Sequence, residues 1–198
     1  VFNAAVSTGT SVVLSDTTDT RTITFADNLS TPTLTTTANG YHLELLGGTT
    51  SVTNATTFLH TGSLVLGNSA TDSLTFTGGL VATAPAAISA AGTIATNNTA
   101  MSLGDANTAL TLTGDLILNT SGGSMTLGGN INGTTNNTES LTLNAGSTGA
   151  ISVVGTIGQT TPLKTLTLIN SNGAVFNAAV STGTSVVLSD TTDTRTIT

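Results

Sequence analysis

At 198 residues the chain is long enough to bury a core, but it has only five Phe, one Tyr and no Trp to anchor one, and just 7% of its residues are charged. A formal net charge of −7, with Arg21, Lys164 and Arg195 as the three cations, excludes nucleic-acid binding by phosphate neutralisation, and the absence of cysteine excludes disulfides, thiolate metal sites and cysteine catalysis together. A 37% hydrophobic fraction excludes a disordered polar tail, and the scarcity of Lys, Arg, Glu and Gln beside abundant Thr, Val, Ile and Gly favours strands over helices.

The chain opens at Val1 in the middle of a pattern, without an initiator Met or a signal peptide, so the natural start of the protein is expected upstream. No apolar run approaches the length of a membrane-spanning helix, which places this segment outside the bilayer. Its first 24 residues, VFNAAVSTGTSVVLSDTTDTRTIT, return without a change at 175–198. An identity of that length does not arise from packing requirements. It predicts tandem units, with 1–174 as one full unit and 175–198 as the start of the next.

Within the unit a diverged motif recurs in chain order: Ile-Thr-Phe-Ala at 23–26, Leu-Thr-Phe-Thr-Gly at 74–78, Leu-Thr-Leu-Thr-Gly at 110–114, Leu-Thr-Leu-Asn-Ala-Gly at 141–146 and Leu-Thr-Leu-Ile at 166–169. Each reads as a short strand. Alternation puts Leu74 and Phe76 on one face and Thr75 and Thr77 on the other, and it does the same for Leu110 and Leu112, and for Leu141 and Leu143, against their Thr neighbours. Leu-Gly steps at 66–67, 103–104 and 127–128 lead into polar connections, and Gly pairs at 47–48, 78–79, 122–123 and 128–129 and Asn-Gly steps at 39–40, 132–133 and 172–173 read as corners that need positive φ.

Asn-Gly between alternating strands is also a hairpin signal, so antiparallel sandwich repeats are the rival architecture. The likeness of successive segments favours a parallel β-helix, because stacked coils place like residues above like. One coil per motif copy, at spacings near 20 to 36 residues, gives roughly six to eight coils per unit. The expected fold is all-β, a parallel β-helix (β-solenoid) continuous across the tandem repeats.

The LTLTG and LTLNAG strands, the stretch GAISVVGTIGQTTPLKTLTLINSNGAVFNAAV at 149–180, the Thr/Asn/Gly composition and the missing cysteine resemble large bacterial exoproteins of the filamentous-haemagglutinin type and related giant surface proteins built of β-strand repeats. The resemblance implies right-handed coiling, export across the outer membrane and a role in adhesion, aggregation or a surface fibre.

The candidate sites read as structural. Asp16, Asp19 and Asp27 with Arg21, largely copied as Asp190, Asp193 and Arg195, form the densest charged group and read as a solvated turn rather than the paired carboxylates of a glycosidase. Asp72, Asp105 and Asp115 stand alone beside Gly in connecting loops, whereas calcium needs several oxygen ligands; a structural calcium is the minor alternative. His42 and His60 lack ligand spacing and read as surface or corner histidines. The sequons at Asn28, Asn54, Asn97, Asn119, Asn132 and Asn136 follow from an Asn- and Thr-rich composition. Thr22/Thr24, Thr75/Thr77 and Thr111/Thr113 have the spacing of an ice-matching lattice, but uneven coils and interruptions such as Glu44 spoil it.

No catalytic, cofactor-binding or metal-ligating residue is assigned, and no enzyme activity is expected. The expected function is a structural repeat of a long extracellular or cell-surface rod, fibre or adhesin stalk. Its partners would be neighbouring repeats of the same chain and laterally associated rods, with no nucleic acid and no membrane. The alternative is an adhesive module that recognises a glycan or a neighbouring cell.

Overall fold

The structure is a computed structural model, and it describes residues 1–15, 20–189 and 195–198. Those residues contain strands and no helix, and every strand pairing among them is parallel. They form a β-solenoid of about eight turns, so the antiparallel sandwich is not the architecture.

Each coil has three faces, here called I, II and III. Residue Phe2 on face I, β1 (Val6–Ser7) on face II and β2 (Ser11–Leu14) on face III make the first coil, followed by β3 (Thr22–Phe25), β4 (Leu29–Thr31) and β5 (Thr33–Thr36). The third and fourth coils are β6 (His42–Leu45), β7 (Thr49–Val52) and β8 (Thr56–Thr57), then β9 (Ser63–Leu66), β10 (Ser73–Phe76) and β11 (Leu80–Ala82). In the next two, one long strand bends across faces I and II: β12 (Ala87–Ala95) with β13 (Met101–Leu103), then β14 (Leu110–Asn119) with β15 (Met125–Leu127). The last complete coils are β16 (Ile131–Gly133), β17 (Leu141–Asn144) and β18 (Ile151–Val153), then Ile157 with β19 (Leu163–Asn170) and β20 (Ala174–Phe176). Val180, β21 (Thr182–Leu188) and Ile197 continue the three faces once more.

Alternation sorts the side chains as the sequence predicts. Leu74 and Phe76, Leu110 and Leu112, and Leu141 and Leu143 are buried, while Thr75, Thr77, Thr111, Thr113 and Thr142 point away from the core. Register then stacks inward residue on inward residue. On face I the column is Ile23, Leu43, Leu64, Ile88, Leu110, Ile131 and Ile157. On face II it is Leu116, Leu141 and Leu166 beside Leu118, Leu143 and Leu168, and on face III it is Leu80, Met101, Met125 and Ile151. Burying each Leu or Ile contributes about 1.5–3 kcal/mol relative to leaving it in water, so the core runs the length of the coil as one continuous apolar column.

Two sequence expectations change. The motif copies do not mark one coil each: Ile23–Phe25 and Leu110–Leu112 lie on face I, whereas the copies at 74, 141 and 166 lie on face II. A three-sided coil needs an apolar strand on every side, so similar strands recur within a turn as well as between turns. Paired residues are in fact 19 to 26 positions apart, as for Leu163 with Thr182 and Met125 with Ile151. The Asn-Gly step at 132–133 lies inside β16 rather than at a corner, because Asn132 and Gly133 pair with Thr111 and Leu112.

The glycines divide by reason. Gly92 has a φ of +86° and sits at the bend where β12 leaves face I for face II, in a conformation that costs an L side chain strain. Gly123 has no such φ; a Cβ there would collide with the main chain of Thr99 in the coil beneath. Coils stacked at a strand spacing leave no room for a methyl group at that corner. Replacing Gly123 with Ala is therefore expected to destabilise the chain by about 1–3 kcal/mol in chemical denaturation. Gly9→Ala, where a Cβ meets nothing within 4 Å, is the control expected to change stability by less than about 0.5 kcal/mol.

Candidate functional site

Polar side chains in this fold work chiefly at the corners, where they hold one coil to the next. Asn28 Oδ1 accepts the Thr49 N–H at 2.8 Å, Asn54 Nδ2 donates to Thr33 Oγ1 at 2.9 Å, and Asn132 Oδ1 accepts the Thr160 N–H at 3.0 Å. Asn130, which the sequence did not single out, accepts both the N–H and the hydroxyl of Thr156 at 3.0 Å. Asn119, Asn144 and Asn170 stand in register on three successive coils at the end of face II. Three of the six sequon asparagines thus act as structural staples between coils, while Asn97 and Asn136 are exposed.

The carboxylates are occupied in the same way. Asp72 is buried, and its Oδ2 accepts the N–H groups of Asn68 and Ser69 at 2.8 and 3.0 Å, closing the loop between β9 and β10. Asp105 Oδ1 accepts the Asn107 N–H and Asp115 Oδ1 accepts the Ser140 N–H, both at 2.8 Å. These three lie in different coils; Asp72 and Asp105 cap their own turns, while Asp115, inside β14 rather than in a connecting loop, reaches the next coil. Glu139, missed in the sequence, is buried with its carboxylate on the Thr134 hydroxyl and the Thr135 N–H. Glu44, seen from the sequence as an interruption on the outer face, accepts the Thr24 hydroxyl at 2.9 Å across the coils. Among the described residues no group of three or more His, Asp or Glu side chains is placed to hold a metal ion.

Of the charged group near the start of the chain, Asp16 and Asp19 lie outside the described residues, as do their copies Asp190 and Asp193. Asp27 is exposed and accepts the Asn28 N–H at 2.7 Å, and Arg21 and Arg195 are exposed. The outward Thr rows do not form a Thr lattice. Thr75 pairs with Ser51 and Ala95, Thr111 with Ser89 and Asn132, and Thr22 and Thr24 with His42 and Glu44. No pocket opens among the described residues, and no helix there is long and apolar enough to cross a membrane.

The histidines separate. His42 stays near the surface, where its Nδ1 accepts the Ser63 N–H at 2.8 Å. His60 corrects the expectation of a surface or corner histidine: it is fully buried, stacked 5.2 Å from Tyr41 and edge-on to Phe58 at 5.9 Å. Phe58 in turn meets Phe76 edge-on, so an aromatic column runs through the core of these coils. Tyr41 is satisfied within it, donating to the Leu14 carbonyl at 3.1 Å. Composition recorded one Tyr and few Phe but not that they meet, since Tyr41 and Phe58 flank opposite ends of the third coil and Phe76 lies in the fourth.

Neither ring nitrogen of His60 has a hydrogen-bond partner within bonding geometry. Burial lowers its pKa from the ordinary 6.5; the Ser63 main chain offsets part of that, and the charge of His42 adds to the lowering. The folded state therefore prefers neutral His60. The stability held by that preference is fully present above about pH 6.5 and is lost as pH falls, because the unfolded chain takes the proton first.

A scan against protein-family models found no match, and searches of curated proteins and of solved structures found none either. The fold therefore rests on the parallel ladders themselves. Denaturation of the chain between pH 7.5 and 5.0 is expected to show stability declining below about pH 6.5. His60→Phe should flatten that decline, and an unaltered slope in the variant would assign it to another group.

Proposed function

We propose that the chain is a structural repeat of a long rod in which tandem units stack end on end as one uninterrupted solenoid. The observation that carries this reading is the contrast between the two copies of the 24-residue segment. In the first, Leu14 lies beneath the next coil and is 6% exposed; its copy Leu188, with no coil above it, is 52% exposed. Val186, Val187 and Val180 are likewise exposed on that terminal coil. Val6 and Val12, the counterparts of Val180 and Val186, are half-buried under the next coil, whereas Val13, the counterpart of Val187, stays exposed, so it is the burial of Leu14 that supports stacking of unit on unit. The strand pattern also runs through 166–188 with no Pro-rich, Ser-rich or charged linker at 174.

Counting residues 1–174, eight acids and two bases leave each unit with a net charge of −6. Such a rod repels its neighbours weakly until salt or divalent ions screen it, which suits a sheath, filament or stalk that associates laterally. The resemblance to exported bacterial surface proteins supports an extracellular placement and favours adhesion or fibre formation as the biological use. An adhesive module is the second reading, supported by the exposed hydroxyl and β-branched side chains of face III, where Thr57, Val81, Ser102, Thr126 and Ser152 follow one another outward.

Arrays of two, four and eight units should give rods in electron microscopy whose length grows with unit number by about 37 Å per unit, with axial diffraction near 4.8 Å. Stability should rise with unit number, and an isolated unit should associate head to tail through its open coil ends. A single unit that is monomeric and as stable as the array would show self-contained domains and exclude the continuous rod. Binding by the array to a glycan panel would favour the adhesive reading.

A further inference from the structure

Resting on the rod reading, we propose that successive units join out of phase, each unit being turned by one face of the solenoid relative to the unit before it. The interaction surface is the coil formed by the second copy, and its partner is the 25–48 stretch of a following copy of the same unit. The structure holds the same segment twice on different faces. Phe2, Val6 and Ser11–Leu14 lie on faces I, II and III, and Ile23 returns to face I. Their copies Phe176, Val180, Ser185–Leu188 and Ile197 lie on faces III, I, II and III. From Phe2 to Phe176 the chain completes seven coils and two of the three faces of the next. One unit is therefore not a whole number of coils.

The two placements are mutually compatible, because one copy supplies the neighbour below each residue and the other supplies the neighbour above. The Phe at position 2 or 176 rests on Val153 and carries Phe25. The Val at 6 or 180 rests on Ile157 and carries Leu29. The Val at 12 or 186 rests on Leu166 and carries Leu34, and the Leu at 14 or 188 rests on Leu168 and carries Thr36. The Ile at 23 or 197 rests on Ala174 and carries Leu43. All ten neighbours are buried. A slip of one residue in either ladder would turn the apolar set outward, so the register on both sides of the joint is fixed by burial. Only a one-face turn satisfies both sets of pairings.

A unit then advances about 37 Å and turns back by about a third of a revolution, and the array regains its phase after three units. Every exposed landmark, such as the 134–138 loop between β16 and β17, faces three directions in succession. A rod built this way presents each feature to neighbours on all sides, as lateral bundling in more than one direction requires.

The test uses a four-unit array carrying Asn136→Cys, one thiol per unit in an otherwise cysteine-free chain, labelled with a bulky electron-dense marker and imaged by cryo-microscopy. The expected result is a marker on three sides in turn, with the first and fourth in line and a rise of about 37 Å per unit. Markers in one line, with a rise of about 34 or 38 Å from a whole number of coils, would overturn the phase offset and leave the rod standing. Absence of a rod with 4.8 Å stacking would overturn the rod reading itself. A second measurement uses the 198-residue chain with Ser152→Cys and Val175→Cys, paired neighbours on face III. A short thiol cross-linker should join them in high yield, and no cross-link would remove the second copy from face III and the proposal with it.

Discussion

The rest of the structure depends on the parallel ladder between coils. A strand in this fold has no partner in its own turn; its N–H and C=O groups are met only by the turn above and the turn below, as when Leu116 takes the Ser140 carbonyl and Ile131 takes that of Thr156. That requirement imposes the strand spacing on everything else. Side chains must stack on side chains at that distance, corners must pass over corners without collision, and charge must be nearly absent, since like charges stacked in a column would repel. The composition meets each demand. Leu and Ile fill the inner columns, Gly123 and its kind clear the corners, and ten acids with three bases leave most outer columns neutral.

Within that frame the core is not uniform. The turns from Tyr41 to Phe76 contain an aromatic column with a buried His60, and the later turns are filled by aliphatic side chains and Met. The rings pack on one another, Tyr41 stacked on His60 and Phe58 edge-on to both His60 and Phe76. The price is His60, whose nitrogens have no partner within the column. The same turns contain a gap in the face III ladder, where β5 meets β8 through Thr36: its hydroxyl accepts the Leu59 N–H at 2.7 Å and donates to the Thr57 carbonyl at 3.4 Å. A side chain there replaces a main-chain pairing, and a polar group in the core is satisfied by doing so.

Much of the polar chemistry that invites a functional reading is spent on this construction. Asp72, Asp105 and Glu139 have main-chain or hydroxyl partners in their own turns, and Asp115, Asn28, Asn54, Asn130 and Asn132 join adjacent coils. In a globular enzyme such residues converge on a cleft. Here the solenoid spreads them along its length, and the proposed role as a repeat of a rod follows from how coils bury one another rather than from any convergence of reactive groups.

By itself the sequence determined that strands form, which side chains of each strand turn inward, and that its first 24 residues return at 175–198. Alternation in Leu74-Thr75-Phe76 or Leu141-Thr142-Leu143 is local, and a 24-residue identity is visible without coordinates. Only the tertiary structure decided which face each strand occupies, because strands on all three faces need the same apolar alternation and nothing in Leu-Thr-Leu says which side of the coil it will form. That depends on how many residues each corner consumes and on the turn already laid down beneath. The Asn-Gly step at 132–133 became strand and His60 became core through contacts about a coil away in sequence, with Thr111 and Leu112 for the one and Tyr41 for the other. The repeated segment makes the division plain, since Val6, Val12, Leu14 and Ile23 and their copies Val180, Val186, Leu188 and Ile197 all pair with buried neighbours, on different faces in the two copies.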